Sequence, residues 1–583
     1  MRTFILAALM LGTALPAHAD SGSAVKALVD EYWALSMKES PIYASSLGID
    51  DYASEVGDFS LAGRDRFAAA SATILAKLQQ IDASQLTPAD AIEYGILKRT
   101  LEENVEANRY GQRSINFSTY AGWHQNFAGM ADNLPFRNKA DYESYNARLK
   151  QYGRVNDQSL AVANEALKGK YVLPCVVLDG YEKGISGLIA DDTRQSRYFA
   201  PYARSRPANI DEAEWTALSA EAASIIGDVI YPALNKHLDW FAKSYKPNCA
   251  KAPGISAQPG GKDYYNFRIR QETTTNLNAD QIHALGLKEV ARIRAEMVEV
   301  ATRAGFASRE AFIQHLRTDP RYYAKTPEEL MEKVARVNKT IDGKMPGLFH
   351  RLPRLPYGIK EIPAEIAEGT TTAFYSPGSP AIGVAGFYYV NTSKLDQRPF
   401  WEIPALSVHE AVPGHHNQIA LQQELELSDF RKNGAFFTAF TEGWGLYSER
   451  LGIEMGLYDT PAKDMGRLSY EMWRACRLVV DTGIHAKGWS KEQAIAYMTD
   501  NSALSAANIE AEVNRYISWP GQALAYKLGE LKIRELRDLA TRELGAKFDL
   551  AAFHDTVLGQ GSVPLNVLED MVKDWIAAEK AKA

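Results

Sequence analysis

Three imidazoles and one carboxylate fall within eight residues, His409-Glu410-Ala411-Val412-Pro413-Gly414-His415-His416, in a chain with 11 histidines. Residues of these types at this density hold a metal ion. In a plain H-E-x-x-H helix, two histidines one turn apart reach the same zinc, and the glutamate between them takes a proton from the activated water. Here position 413 is proline and the spacing is longer. On an unbroken helix His415 would lie about 120° around from His409, and His416 would share its face about 10.5 Å further along the axis. Proline removes a backbone donor and clashes with the carbonyl four residues back, which is that of His409. The helix is therefore expected to bend or break at Pro413-Gly414. A two-residue bulge there returns His415 to the place of an ordinary i+4 ligand. His415 is taken as the second ligand, and His416 as a residue that steadies a ligand or touches substrate.

A catalytic zinc keeps three protein ligands and one open position, so a third donor is needed. The segment Thr441-Glu442-Gly443-Trp444-Gly445-Leu446-Tyr447-Ser448-Glu449 supplies it. Glu442 and Glu449 are seven apart, hence on one helical face. By themselves they read as a solvated face with Arg450. Beside the histidine cluster Glu442 becomes the third ligand, and Glu449 a carboxylate that orients a ligand histidine.

These groups need a scaffold, and the chain has the material for one. It has 583 residues, of which 46% are hydrophobic and 23% charged, an ordinary globular balance. A formal charge of −7 excludes a globally basic nucleic-acid binder. Met1–Ala19 reads as a cleaved signal peptide: Arg2, an apolar run from Phe4 to Leu15 too short to span a bilayer, and Ala17-His18-Ala19. No cysteine follows it to carry a lipid, and no second long apolar run suggests a membrane span. The expected location is the periplasm or outside the cell. Cys175, Cys249 and Cys476 form no C-x-x-C pair and allow at most one disulfide.

Helical periodicity dominates from Ala24 to Met37, Ser71 to Ile81, Asp90 to Ala107, Tyr142 to Leu167, Glu212 to Ser244 and Asn278 to Thr302. Asn278 with Gln281 three residues on predicts a capping box, and His283 just beyond reads as a packed or surface histidine. Strands are expected only at Tyr171 to Leu178 and Ala381 to Asn391. The fold class is mostly α. A Pro/Gly-rich stretch, 247–263, separates a helical region, 20–246, from a catalytic region, 264–583. No G-x-S-x-G elbow marks a serine hydrolase, and no glycine-rich loop marks a nucleotide site.

The two metal segments, together with Tyr516-x-x-x-Pro520-Gly521-Gln522-Ala523, Gly386-Phe387-Tyr388-x-Val390-Asn391-Thr392 and Asp481-Thr482-Gly483-x-His485, resemble the bacterial family catalogued as domain of unknown function 885. The likeness runs over nearly the whole mature chain. That family is in turn similar to the helical Glu-zincin metallopeptidases, of the peptidyl-dipeptidase A and Taq carboxypeptidase type. The resemblance implies an elongated helical fold with a deep channel, one wall of it N-terminal, and a small β element beside the active site. It implies a zinc-dependent peptidase for short peptides, with Glu410 as general base and Tyr516 and His485 stabilising the oxyanion. Tyr526 is the alternative phenol. The Pro-Gly insertion is where the sequence departs from the zincin pattern. Arg477 and Arg515 either clamp a peptide carboxylate or form helix-face ion pairs with Glu512 or Asp481. Asn391 is a candidate for binding substrate backbone. The other reading is a catalytically inactive peptide-binding or scaffolding protein on the same fold.

Overall fold

The computed structural model describes residues 21–118, 121–367 and 370–582, so the leader expected at Met1–Ala19 lies outside the described residues. The fold is mostly α, with one three-stranded sheet. The expected N-terminal helices are present at Ser21–Glu39, Leu61–Leu78 and Pro88–Ala107, the last started by Thr87, whose side chain accepts from Asp90 N. The single helix expected over Tyr142 to Leu167 is two, Lys139–Lys150 and Tyr152–Gly169, joined at Gln151. Ala279–Arg303 begins with the capping box expected at Asn278 and Gln281. His283 bonds Thr482 Oγ1 at 2.8 Å, a packed histidine.

The strand expected over Tyr171 to Leu178 is absent. Pro174 makes an isolated bridge with Ala250, and a 3-10 turn follows at Cys175–Val177. Proline has no amide to extend a ladder, and a disulfide from Cys175 to Cys249 fixes the crossing instead. The strand expected over Ala381 to Asn391 is shorter, β3 (Gly386–Val390). It is the middle strand of the sheet, parallel to β1 (Tyr357–Glu361) and antiparallel to β2 (Ala373–Ser376).

The Pro/Gly-rich stretch is a packed crossing, not a free linker. Its Ile255 amide donates to His485 Nδ1 at 3.1 Å, and one hydrophobic cluster runs from Val56 through Tyr245 to Ala523. A second cluster joins the helices Ser21–Glu39, Leu61–Leu78 and Pro88–Ala107 to segments between Ile341 and Ile576. One helical stretch, Glu212–Asn248, is long and apolar enough by composition to cross a membrane. Its Ile226, Ile230, Leu234 and Phe241 belong to the main core, while Lys236 and Lys243 form ion pairs with Asp157 and Asp239.

At the centre lies Pro461–Lys487, 27 residues long and buried almost throughout, carrying Arg467, Glu471, Arg474, Arg477, Asp481 and His485 inside the protein. Buried charge is tolerated only when paired, so this helix marks where the polar interior is organised.

Candidate metal centre

The chain breaks at the proline. One helix, Ile403–Glu410, ends one residue after His409, and the next, His415–Glu424, opens on His415. Between them Ala411 and Gly414 leave helical geometry, and the Val412–Pro413 bond is cis. Gly414 N donates to Val408 O at 2.9 Å, and a Cβ on Gly414 would sit 1.9 Å from the carbonyl oxygen of His409, so no larger residue fits. Trp444 Nε1 donates to Pro413 O at 2.8 Å and holds the broken turn against the helix Thr438–Leu451.

That third helix carries Glu442. The ligand atoms of His409, His415 and Glu442 all lie within 4.8 Å of one another, a group that can hold a metal ion. The two rings are nearly perpendicular with centroids 4.7 Å apart. Glu442 Oε2 lies 3.6 Å from His409 Nε2 and 3.3 Å from His415 Nε2, yet makes no aligned hydrogen bond although it is buried. Three donors that point at a common centre and not at each other fit a cation between them. Gly445 makes the approach possible, since a Cβ there would come within 2.8 Å of the His409 ring.

Behind the triad, His409 Nδ1 lies 2.9 Å from Glu449 Oε1, the carboxylate expected to orient a ligand. Arg474 Nη2, 3.1 Å from the same oxygen, balances its charge. Burial would lower the His409 pKa, but Glu442 and Glu449 outweigh it and raise it to about 9. Burial would raise that of Glu442, and the imidazoles of His415 and His409 instead hold it well below the carboxylate range. Glu410 follows His409 directly and is buried.

Several expected site residues are engaged elsewhere. His416 is held between Tyr375 Oη and Leu355 O, both at 2.9 Å, so it anchors the ligand helix to the sheet region and has no nitrogen left for substrate. Burial lowers its pKa to about 4. His485 accepts from Ile255 N and donates to Tyr516 O at 2.9 Å, which leaves it no proton for an oxyanion. The Tyr516 hydroxyl accepts from Trp473 Nε1 and Arg477 Nε, each at 2.9 Å, and is a buried packing hub. Asn391 donates to the carbonyls of Ala367, Thr370 and Thr371 and closes its own loop, not a peptide edge. Tyr526 stands nearer the triad: its ring is 14° from parallel to that of His409, centroids 6.5 Å apart. Arg477 and Arg515 both contact Glu512.

Sequence reasoning gave no role to Arg474 or Trp444 and did not name the residues that line the cleft. Arg474 lies three residues before Arg477, and that i,i+3 pair of arginines on a buried helix was the available signal. The cleft, about 920 Å³, is lined by Tyr43, Trp123 and Phe127 from the N-terminal part and by Gln418, Phe436 and Thr441 from the C-terminal part. Thr441 precedes Glu442, and Gln418 lies three residues beyond His415.

The family described as a bacterial protein of unknown function, DUF885, matches residues 41–572. A candidate lipoprotein from Colwellia psychrerythraea has a similar crystal structure, with 28% identity and a TM-score of 0.87, covering 96% of this chain and 100% of that one. A candidate lipoprotein of unknown function from Shewanella oneidensis has the same fold at 21% identity and a TM-score of 0.70, covering 95% and 100%. No curated protein matches the chain.

Proposed function

Because the chain belongs to the bacterial family DUF885, a membership that assigns no chemistry, we propose from the site that it is an extracytoplasmic zinc-dependent metallopeptidase acting on short peptides. The observation that carries this reading is the convergence of His409, His415 and Glu442, with a further carboxylate, Glu410, beside the first ligand. Two imidazoles and one carboxylate leave a position free for water and substrate, the donor set of hydrolytic zinc. Zinc held there would polarise a scissile carbonyl and bring a water's pKa towards about 7. Glu410, next to the first ligand, would be the base that accepts a proton there and returns it to the leaving amine. In this reading Tyr526, whose ring lies alongside that of His409, is assigned the developing oxyanion, since Tyr516 is already committed. Glu449 fixes the His409 ring so that Nε2 faces the centre.

The cleft of about 920 Å³ suits a short peptide better than a folded protein. Location outside the cytoplasm is supported by the leader-like Met1–Ala19, by the Cys175–Cys249 disulfide and by the description of the structural neighbours as candidate lipoproteins.

The test is metal content by plasma mass spectrometry together with hydrolysis of a peptide library. About one zinc per chain is expected, lost in His409→Ala, His415→Ala and Glu442→Ala and kept in His416→Ala. Glu410→Gln should keep the zinc and lose hydrolysis. A wild-type protein that takes up no zinc on reconstitution, or Glu410→Gln that cleaves normally, overturns the proposal.

A further inference from the structure

Among the described residues eight large apolar side chains stand exposed, and three of them, Tyr43, Val384 and Phe436, line the cleft. Phe436 is 59% exposed, the most of the eight. Single exposed apolar residues are ordinary, but a group of them on a concave surface marks a place that something covers. The three come from distant segments, yet hydrogen bonds tie those segments into one rim. Tyr43 Oη donates to Asn433 O at 2.7 Å, three residues before Phe436. Ser379, bonded in both directions to the backbone of Val384, donates from Oγ to Ser46 O at 3.4 Å, three residues after Tyr43. The charged groups on the lining cancel: Asp58 pairs with Arg66 and Asp132 with Arg197, and Glu39 and Lys432 are of opposite sign.

The helix that opens on His415 supplies the other half of the site. Gln422 Nε2 donates to Arg431 O and Lys432 O, so its oxygen is the atom that accepts from Ser562 N and from Gln418 Nε2. That fixes the Gln418 amide with its own oxygen left over, in a side chain only 2% exposed. Gln423 is set the same way: Nε2 donates to Gly378 O at 3.0 Å, and Oε1 has no partner. Both glutamines line the cleft. A buried carbonyl oxygen without a donor costs free energy until one arrives, and the donor that every peptide brings is its backbone N–H. The two glutamines are five residues apart, about 7.5 Å along a helix. An extended chain shows N–H groups to one side at every second residue, about 6.6 Å apart. Gln418 lies three residues beyond the ligand His415, so this pairing starts beside the metal centre.

We propose that the cleft takes an extended peptide whose backbone N–H groups bond the oxygens of Gln418 and Gln423 and whose large apolar side chain packs against Phe436, Tyr43 and Val384. This rests on the peptidase reading above and adds the substrate class: peptides with a bulky apolar residue to one side of the scissile bond.

The test walks one residue, as alanine, phenylalanine or lysine, along an otherwise fixed hexapeptide. Cleavage by the zinc-loaded protein and binding by calorimetry are both measured. At one position phenylalanine should be favoured over alanine and lysine at least about 10-fold in kcat/KM. Phe436→Ala, at an exposed site, should bring that preference towards unity. N-methylation of either of two backbone amides, two residues apart, should raise KM about 10-fold. Gln423→Met should abolish that penalty at one of them, while Gln423→Glu, which keeps an acceptor, retains it. Rates that do not depend on the apolar residue, a preference for lysine, or a phenylalanine preference unchanged in Phe436→Ala overturns the inference and leaves the peptidase reading intact. No cleavage of these peptides, nor of the library, is failure of the peptidase reading, and binding then decides the inference. The phenylalanine peptide bound more tightly than its alanine counterpart by wild type but not by Phe436→Ala upholds it, and equal or absent binding overturns it.

Discussion

Among the described residues two pairs of buried histidines sit in ring contact, and only one of them has a carboxylate beside it that could complete a metal site. In the N-terminal half the rings of His124 and His237 are 5.1 Å apart and inclined at 79°, almost the geometry of His409 and His415. Around His124 and His237 stand Trp123, stacked 4.2 Å from His237, and Tyr181, whose hydroxyl lies 3.0 Å from His237 Nε2. Burial lowers their pKa values to about 4 and about 2, the second helped by its neighbour's charge. His409, with Glu442 and Glu449 at its two nitrogens, is shifted the other way. Ring proximity is ordinary core packing. A carboxylate within reach of both rings is what makes the second pair a candidate metal site.

The comparison breaks most visibly on metal stoichiometry. His415→Ala should lose the bound metal and with it all hydrolysis, whereas His237→Phe should retain about one metal per chain. A His237→Phe protein without metal would mean that the two pairs are not independent.

A second effect, of several kcal/mol, lies in acid stability. His124 and His237 are held neutral in the fold but charge near pH 6.5 when unfolded, so the stability they contribute is fully present above pH 6.5 and falls with pH down to about 4 for His124 and about 2 for His237. A tenfold change in a group's proton affinity between the folded and unfolded chain is worth about 1.4 kcal/mol. The melting temperature should therefore drop steeply between pH 6.5 and 4, and His237→Phe should flatten that slope. An unchanged slope would assign acid sensitivity to the carboxylates.

The smallest effect sharpens the comparison from the other side. Glu449→Gln leaves the three ligands in place but makes the surroundings of His409 more like those of His237. Metal affinity, measured by chelator competition, should weaken by about 10- to 100-fold. A variant that binds as tightly as wild type would show that Glu442 alone makes the difference.

Much of this centre was legible in the sequence because it is written in local chemistry. His409, Glu410 and Glu442 announce themselves by residue type, and the break at Pro413 follows from a missing amide, which also decides His415 over its neighbour. His416, His485, Tyr516 and Asn391 were misread for one shared reason: their partners lie 20 to 230 residues away, many of them backbone groups that no motif displays. His416 bonds Leu355 and Tyr375, and His485 bonds Ile255 and Tyr516. The two missed strands, Tyr357–Glu361 and Ala373–Ser376, are five and four residues long and carry too little alternation to stand out. The helices were plain wherever a cap and a periodic face coincide, as at Asn278.

The second hydrophobic cluster has a consequence in time. Val25, Val29, Ile74 and Leu97 belong to the same buried cluster as Phe437, Trp444, Leu568 and Ile576, several hundred residues further along the chain. At roughly 5–20 residues synthesised per second, the first helices wait tens of seconds for the partners that cover them. The nascent chain cannot complete this cluster early, because its members lie on segments far apart along the sequence.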